Sequence, residues 1–122
     1  VVMVKNMKSG ESVGYNRLYT VEKDENIALV QAGYADGIPT EFSNSGSVEI
    51  NGLLLPIIGK VSMDLVAVRC MDANISEGDD AIFWGGENEN NRVENLAKQY
   101  KIIPYKFLTS VSSRVNRKLI YD

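Results

Sequence analysis

Ser47-Val48-Glu49-Ile50-Asn51-Gly52-Leu53-Leu54-Leu55 spells a β-hairpin. Polar and apolar residues alternate up to Ile50, as on a strand with one buried face. Asn51-Gly52 is the pair favoured at the centre of a type I′ turn, where both residues take positive φ. Leu53 to Leu55 then runs back. Pro56 lacks an N–H, so it is expected to break the returning strand or leave it at an edge.

Similar runs lie on both sides of this hairpin. Val1 to Met7, Tyr15 to Val21, Ile27 to Gln31, Leu65 to Cys70 and Ala81 to Trp84 all read as strands. Turn signals recur about every ten residues, a rhythm that suits a barrel or sandwich. Lys23 to Asn26 and Glu87 to Asn90 read as solvated connections. Asn91 is a candidate N-cap, with Glu94 placed as in a capping box. Val93, Leu96, Ala97 and Tyr100 then fall on one helical face. A second short helix is expected from Pro104, with Phe107, Leu108 and Val111 turned inward, and a last strand from Arg114 to Tyr121. The expected fold is mainly β: a compact β-barrel-like domain over residues 1–122, with one or two short helices near the C-terminus.

The 122 residues suffice for one domain with a real core. A net charge of −3 offers no basic footprint for nucleic acid. No apolar run nears the roughly 18 residues of a membrane span, so no membrane contact by this domain and a cytoplasmic setting are expected, although an upstream segment could anchor the parent protein to a membrane. The first residues, Val1-Val2-Met3-Val4-Lys5, read as a strand already under way and suggest a piece of a longer protein.

The chain holds one cysteine and no histidine. An ordinary zinc site, a Ser-His-Asp triad and a Cys-His dyad are therefore excluded within it, and no metal is expected. Cys70 closes an apolar run and reads as a small core residue. Any acid–base chemistry falls to tyrosine or carboxylate. Two loops could carry it. Gly33-Tyr34-Ala35-Asp36-Gly37 follows a strand, and its glycines permit unusual backbone angles, so it could hold a phenol and a carboxylate still yet accessible. A tight turn around a packed tyrosine is the plainer alternative. Gly59-Lys60-Val61-Ser62-Met63-Asp64 joins two strands, and its backbone donors could capture an anion such as a carboxylate. Alternatively Asp64 merely fixes the turn. Tyr15, in Val13-Gly14-Tyr15-Asn16, has an ordinary phenol pKa near ~10. It reads as a core residue unless a cation or a proton relay makes it useful.

In order, the chain carries Gly10-Glu11-Ser12-Val13-Gly14-Tyr15, Gly33 to Gly37, the Asn51-Gly52 hairpin, Gly59 to Asp64, and Leu108-Thr109-Ser110-Val111-Ser112-Ser113-Arg114-Val115-Asn116-Arg117. This set resembles the C-terminal domain of alanine racemases over nearly the whole chain. The resemblance implies a preceding (β/α)8 barrel that carries pyridoxal 5′-phosphate on a lysine, a head-to-tail homodimer, and an amino-acid substrate. It implies that a fragment like this one is inactive alone. Tyr15 aligns with the tyrosine that acts as base on the L-amino acid in the partner's site. Met63 aligns with a contact to the substrate carboxylate. Tyr34 would narrow the approach and Asp64 would orient it. Ser113 stands beside the cofactor phosphate, where many members have an aromatic residue, and the smaller side chain could admit serine. Asn116 and Lys60 replace a frequent proline and arginine. Two other readings are a related pyridoxal-phosphate decarboxylase, which would need a cysteine such as Cys70 in the site, and a non-catalytic β-barrel binding module.

Overall fold

The computed structural model describes residues 1–13, 19–85, 89–102 and 104–116. The hairpin forms as its sequence demands. Strands β5 (Ser47–Ile50) and β6 (Leu53–Ile58) pair in the register Ile50↔Leu53 and Val48↔Leu55. Asn51 at φ 53° and Gly52 at φ 80° make the type I′ turn. Pro56 neither ends β6 nor sits at an edge. It faces Ser47, while the ladder to the next strand runs through Ile57 and Ile58, so no ladder bond is asked of its nitrogen.

The other strands are β1 (Met3–Met7), β2 (Ser12–Val13), β3 (Tyr19–Thr20), β4 (Glu25–Val30), β7 (Val66–Arg69) and β8 (Ala81–Ile82). Six of them form one antiparallel sheet in the order β1-β4-β7-β6-β5-β8, and β2 pairs with β3 apart from it. The sheet is not closed by strand pairing, but it curls. Gly78 N donates to Val1 O at 2.8 Å, and Val1 N to Asp79 O at 2.8 Å, so the head of β1 meets the turn that leads into β8. This near-closure gives the barrel-like character expected of the chain.

Asp79 fixes that seam. Its Oδ2 accepts the Ser76 N–H at 2.8 Å and the Asn51 amide at 3.0 Å. The Ser76 bond, and then the Asn51 bond, hold its carboxyl below the usual range. The folded pKa thus lies under the unfolded one, near ~3.9. The contribution of Asp79 is complete above that value and fades as pH falls through the folded one. Asp79→Asn should therefore give a shallower loss of stability as pH falls below about 4, read from acid titration by circular dichroism.

Helices α1 (Val93–Tyr100) and α2 (Pro104–Thr109) cover one face of the sheet. Leu96 and Ala97 are buried as their spacing predicts, and Phe107 is 1% exposed. Phe42 is the hub between sheet and helices, with ring centroids 4.7 Å from Tyr100 and 6.1 Å from Phe107. Rings at these separations add to the area they bury. Asn91 does not cap α1. It lies in a 3-10 turn (Glu89–Asn91), and Arg92 is the N-cap. The Asn91 side chain is fully buried and its amide donates to Ile82 O at 3.1 Å, while the Asn91 backbone carbonyl accepts Gly85 N at 2.6 Å. It is spent on the end of β8. Residues 114–116 open as a turn rather than a strand, closed by Val115 N donating to Ser112 O at 3.1 Å. The rest of that expected strand, residues 117–121, lies outside the described residues. Among the described residues, no helix is long and apolar enough to cross a membrane.

Candidate functional site

The two glycine-flanked loops, far apart in sequence, are docked to each other. Residues Tyr34–Asp36 form a single 3-10 turn. Tyr34 N donates to Ser62 O at 3.0 Å and Ala35 N to Met63 O at 3.2 Å. Only one of the flanking glycines is needed for its backbone angle: Gly37, at φ 112°, where a side chain would be strained. Gly33 is extended, at φ −158°. Its requirement is room. A Cβ there would run into the carbonyls of Ser62 and Met63.

The Ser62–Leu65 bend is fixed by Ser62, not by Asp64. Ser62 Oγ donates to Leu65 O at 2.8 Å and accepts Leu65 N at 3.2 Å. Val61 N is held by Ser43 Oγ at 2.8 Å, and Ser62 N by Leu65 O at 3.2 Å. Among the described residues, the N–H groups of Met63 and Asp64 carry no hydrogen bond. An exposed bend with two free donors can receive an anion without a charged side chain.

Asp64 points elsewhere. Its Oδ1 accepts Arg114 Nη2 at 2.9 Å, and Arg114 Nε lies 2.7 Å from Asp36 Oδ1. The third motif of the chain thereby joins the other two. The carboxylate of Asp36 also accepts Gly33 N at 3.0 Å on its other oxygen, closing the 3-10 turn. Tyr34, Met63 and Asp64 are thus brought together, and Ser113, exposed in the turn that carries Arg114, belongs to the same cluster of loops. Arg114 was legible only as part of a motif. Nothing local in the sequence marks it as the link. Tyr15 falls in residues 14–18 and lies outside the described residues.

Three large apolar side chains are exposed on these loops among polar neighbours. Tyr34, Met63 and Leu65 are 47%, 51% and 40% exposed. Large exposed apolar groups next to fixed polar ones mark a face suited to docking. The groove bounded by Tyr34, Gly37, Lys106 and Ser110 holds about 190 Å³. That is below the roughly 300–1,000 Å³ of a typical small-molecule site, and the groove runs between the Tyr34 turn and α2 without reaching the Met63 bend. Cys70 takes no part. It is 1% exposed at the end of β7, and burial pushes its thiol pKa up. A reactive cysteine needs the opposite setting.

The family model for the C-terminal domain of alanine racemase matches residues 1–119. The chain belongs to that family. It is 40% identical over 115 residues to an alanine racemase of Vesicomyosocius okutanii, covering 94% of this chain and 32% of the relative. An alanine racemase of Aliivibrio salmonicida is 37% identical over 121 residues, covering 98% and 33%. The crystal structure of alanine racemase from Bartonella henselae with covalently bound pyridoxal phosphate superposes with a TM-score of 0.89 at 32% identity, covering 98% of this chain and 33% of that one. The chain spans about a third of the length of the relatives it matches. The resemblance read from the motifs is thus borne out at the level of the family, and with it the mainly β fold.

Proposed function

We propose that this chain is the C-terminal domain of a two-domain amino-acid racemase that interconverts L- and D-alanine, and that its docked loops complete a site in the partner of a head-to-tail homodimer. The observation that carries the reading is the paired-loop surface: an exposed tyrosine, a bend with two N–H donors free among the described residues, and a fixed carboxylate, all on one exposed face. A preceding barrel domain would supply the rest of that site and the cofactor. The length of the relatives supports such a domain, and the Bartonella relative's bound pyridoxal phosphate supports that cofactor.

Bound pyridoxal phosphate would supply an electron sink for the substrate carbon that loses its proton. This chain's residues do the rest of their work around it. The Met63 N–H holds the substrate carboxylate. Tyr34 limits the width of the approach. Asp64 orients its neighbours without carrying a proton. The Tyr15 hydroxyl exchanges a proton with the substrate carbon on one face. Inversion needs a second group on the other face, because a lone base tends to return the proton where it took it. The residues that would face the cofactor's phosphate also fit it. Ser112 Oγ is buried without a partner, and Ser113 is exposed beside it. A buried hydroxyl left unmatched calls for an acceptor, and phosphate oxygens are acceptors.

The test is direct. The full-length protein, with pyridoxal phosphate, should convert L-alanine to D-alanine, followed by a D-amino-acid oxidase coupled assay. L-serine should be run beside it, since the serine at position 113 leaves side-chain room. Turnover of L-serine alone would move the assignment to the serine-acting branch. No turnover of either enantiomer pair would overturn the racemase reading.

A further inference from the structure

We propose that Arg114 is a positioning residue: its guanidinium bridges Asp36 and Asp64 and so fixes the Tyr34 turn against the Met63 bend. The proposal rests on the racemase reading only for the reaction it names. The geometry stands by itself. Two carboxylates from loops far apart in sequence converge on one guanidinium, at 2.7 Å and 2.9 Å. The Asp36 side chain is only 17% exposed, and both its oxygens are engaged, one by Arg114 and one by Gly33 N. Gly33 heads the turn that presents Tyr34, and Tyr34 N and Ala35 N are tied to the carbonyls of Ser62 and Met63. Ser112 N also approaches Asp36 O at 3.4 Å. The three loops thus form a closed circuit in which, among the described residues, Arg114 is the cation that meets both carboxylates.

Geometry, not charge, explains why a lysine could not replace it. A guanidinium is a planar fork with five donors, able to serve two carboxylates at fixed angles, whereas an ammonium is a point charge on a flexible stem. If the cation is removed, two carboxylates face each other and repel. Arg114 and Asp64 are about half exposed, at 50% and 53%. Exposed pairs add little to global stability. The bridge therefore governs where the loops lie, and its loss should show locally before it shows in melting.

The experiment uses the full-length protein and three variants: Arg114→Gln, Arg114→Lys and the double variant Arg114→Gln/Asp64→Asn. Amide hydrogen exchange is followed in segments 33–37 and 62–65, with β4 and β7 as internal references. Arg114→Gln should speed exchange in both loop segments by roughly tenfold and leave the references alone. Arg114→Lys should stay fast, because it keeps the charge and loses the fork. The double variant should recover part of the protection, because one of the two repelling carboxylates is gone. In kinetics, Arg114→Gln should raise KM for alanine by roughly tenfold with a smaller change in kcat, below the hundredfold that an ångström of misplacement can cost. Unchanged loop exchange overturns the proposal. So does an equal rise in β4 and β7, which would make Arg114 a general stabiliser, or a lysine variant indistinguishable from the parent. A parent protein that racemises nothing would sink the functional reading while leaving the exchange result to decide the role of Arg114.

Discussion

Tyr15→Phe in the full-length protein should lower L-to-D alanine turnover by roughly 10²–10⁴-fold, the usual worth of a general acid–base group. The substitution removes one oxygen and keeps the ring, so docking and cofactor absorbance should hold. The loss should be uneven in a telling way. Racemisation needs proton traffic on both faces of one carbon, and in the proposed function the phenol serves one of them. Both directions of net inversion should therefore fall together. Exchange of the α-proton of D-alanine with solvent deuterium needs only the other face and should persist. Proton NMR in deuterium oxide reads the exchange, and a chiral assay reads the inversion. Turnover at the parent's level would remove Tyr15 from the chemistry. Loss of both inversion and exchange would assign it to binding instead.

Gly33→Ala should be the most damaging single methyl group in the described site. The backbone at Gly33 is extended and accepts alanine, so no conformational penalty enters. The cost is contact with the Ser62 and Met63 carbonyls, which are backbone and cannot rotate aside. Overpacking of this kind typically costs about 1–3 kcal/mol. For a domain of this size that is a fall in Tm of roughly 4–12 °C. The two loops should part, breaking the bonds from Tyr34 N and Ala35 N, and KM for alanine should rise. Gly52→Ala is the control. Nothing lies within 4 Å of a Cβ there, and the positive φ of the hairpin turn is the sole difficulty. It should cost about 1 kcal/mol and leave KM alone. A Gly33→Ala protein with the parent's Tm and KM would show that the loops are not tightly docked.

How much of this could be read in advance differs by residue. The Asn51-Gly52 turn is local chemistry, and two adjacent residues with positive φ specify it whatever surrounds them. The apolar face of α1 is also local, because its period is the helix's own. The start of that helix is another matter. Asn91 has the right chemistry for a cap, but burial against β8 claims its side chain first. Pro56 reads as a strand breaker, and is tolerated because the neighbouring ladder begins one residue later.

The amino-acid order alone established a β-rich domain with a hairpin at residues 51 and 52, one or two short helices towards its end, and a motif set that marks its family. Local dihedral preference and side-chain period suffice for these, since each depends on residues a few positions apart. Packing alone decided that Gly33 is a contact glycine while Gly37 is both conformational and crowded by the Ser110 and Val111 backbone, that Ser62 rather than Asp64 holds its bend, and that Arg114 meets a carboxylate 50 positions away. Such meetings depend on how strands deliver their ends to one rim of a curled sheet, and no repeat or spacing along the chain encodes that distance.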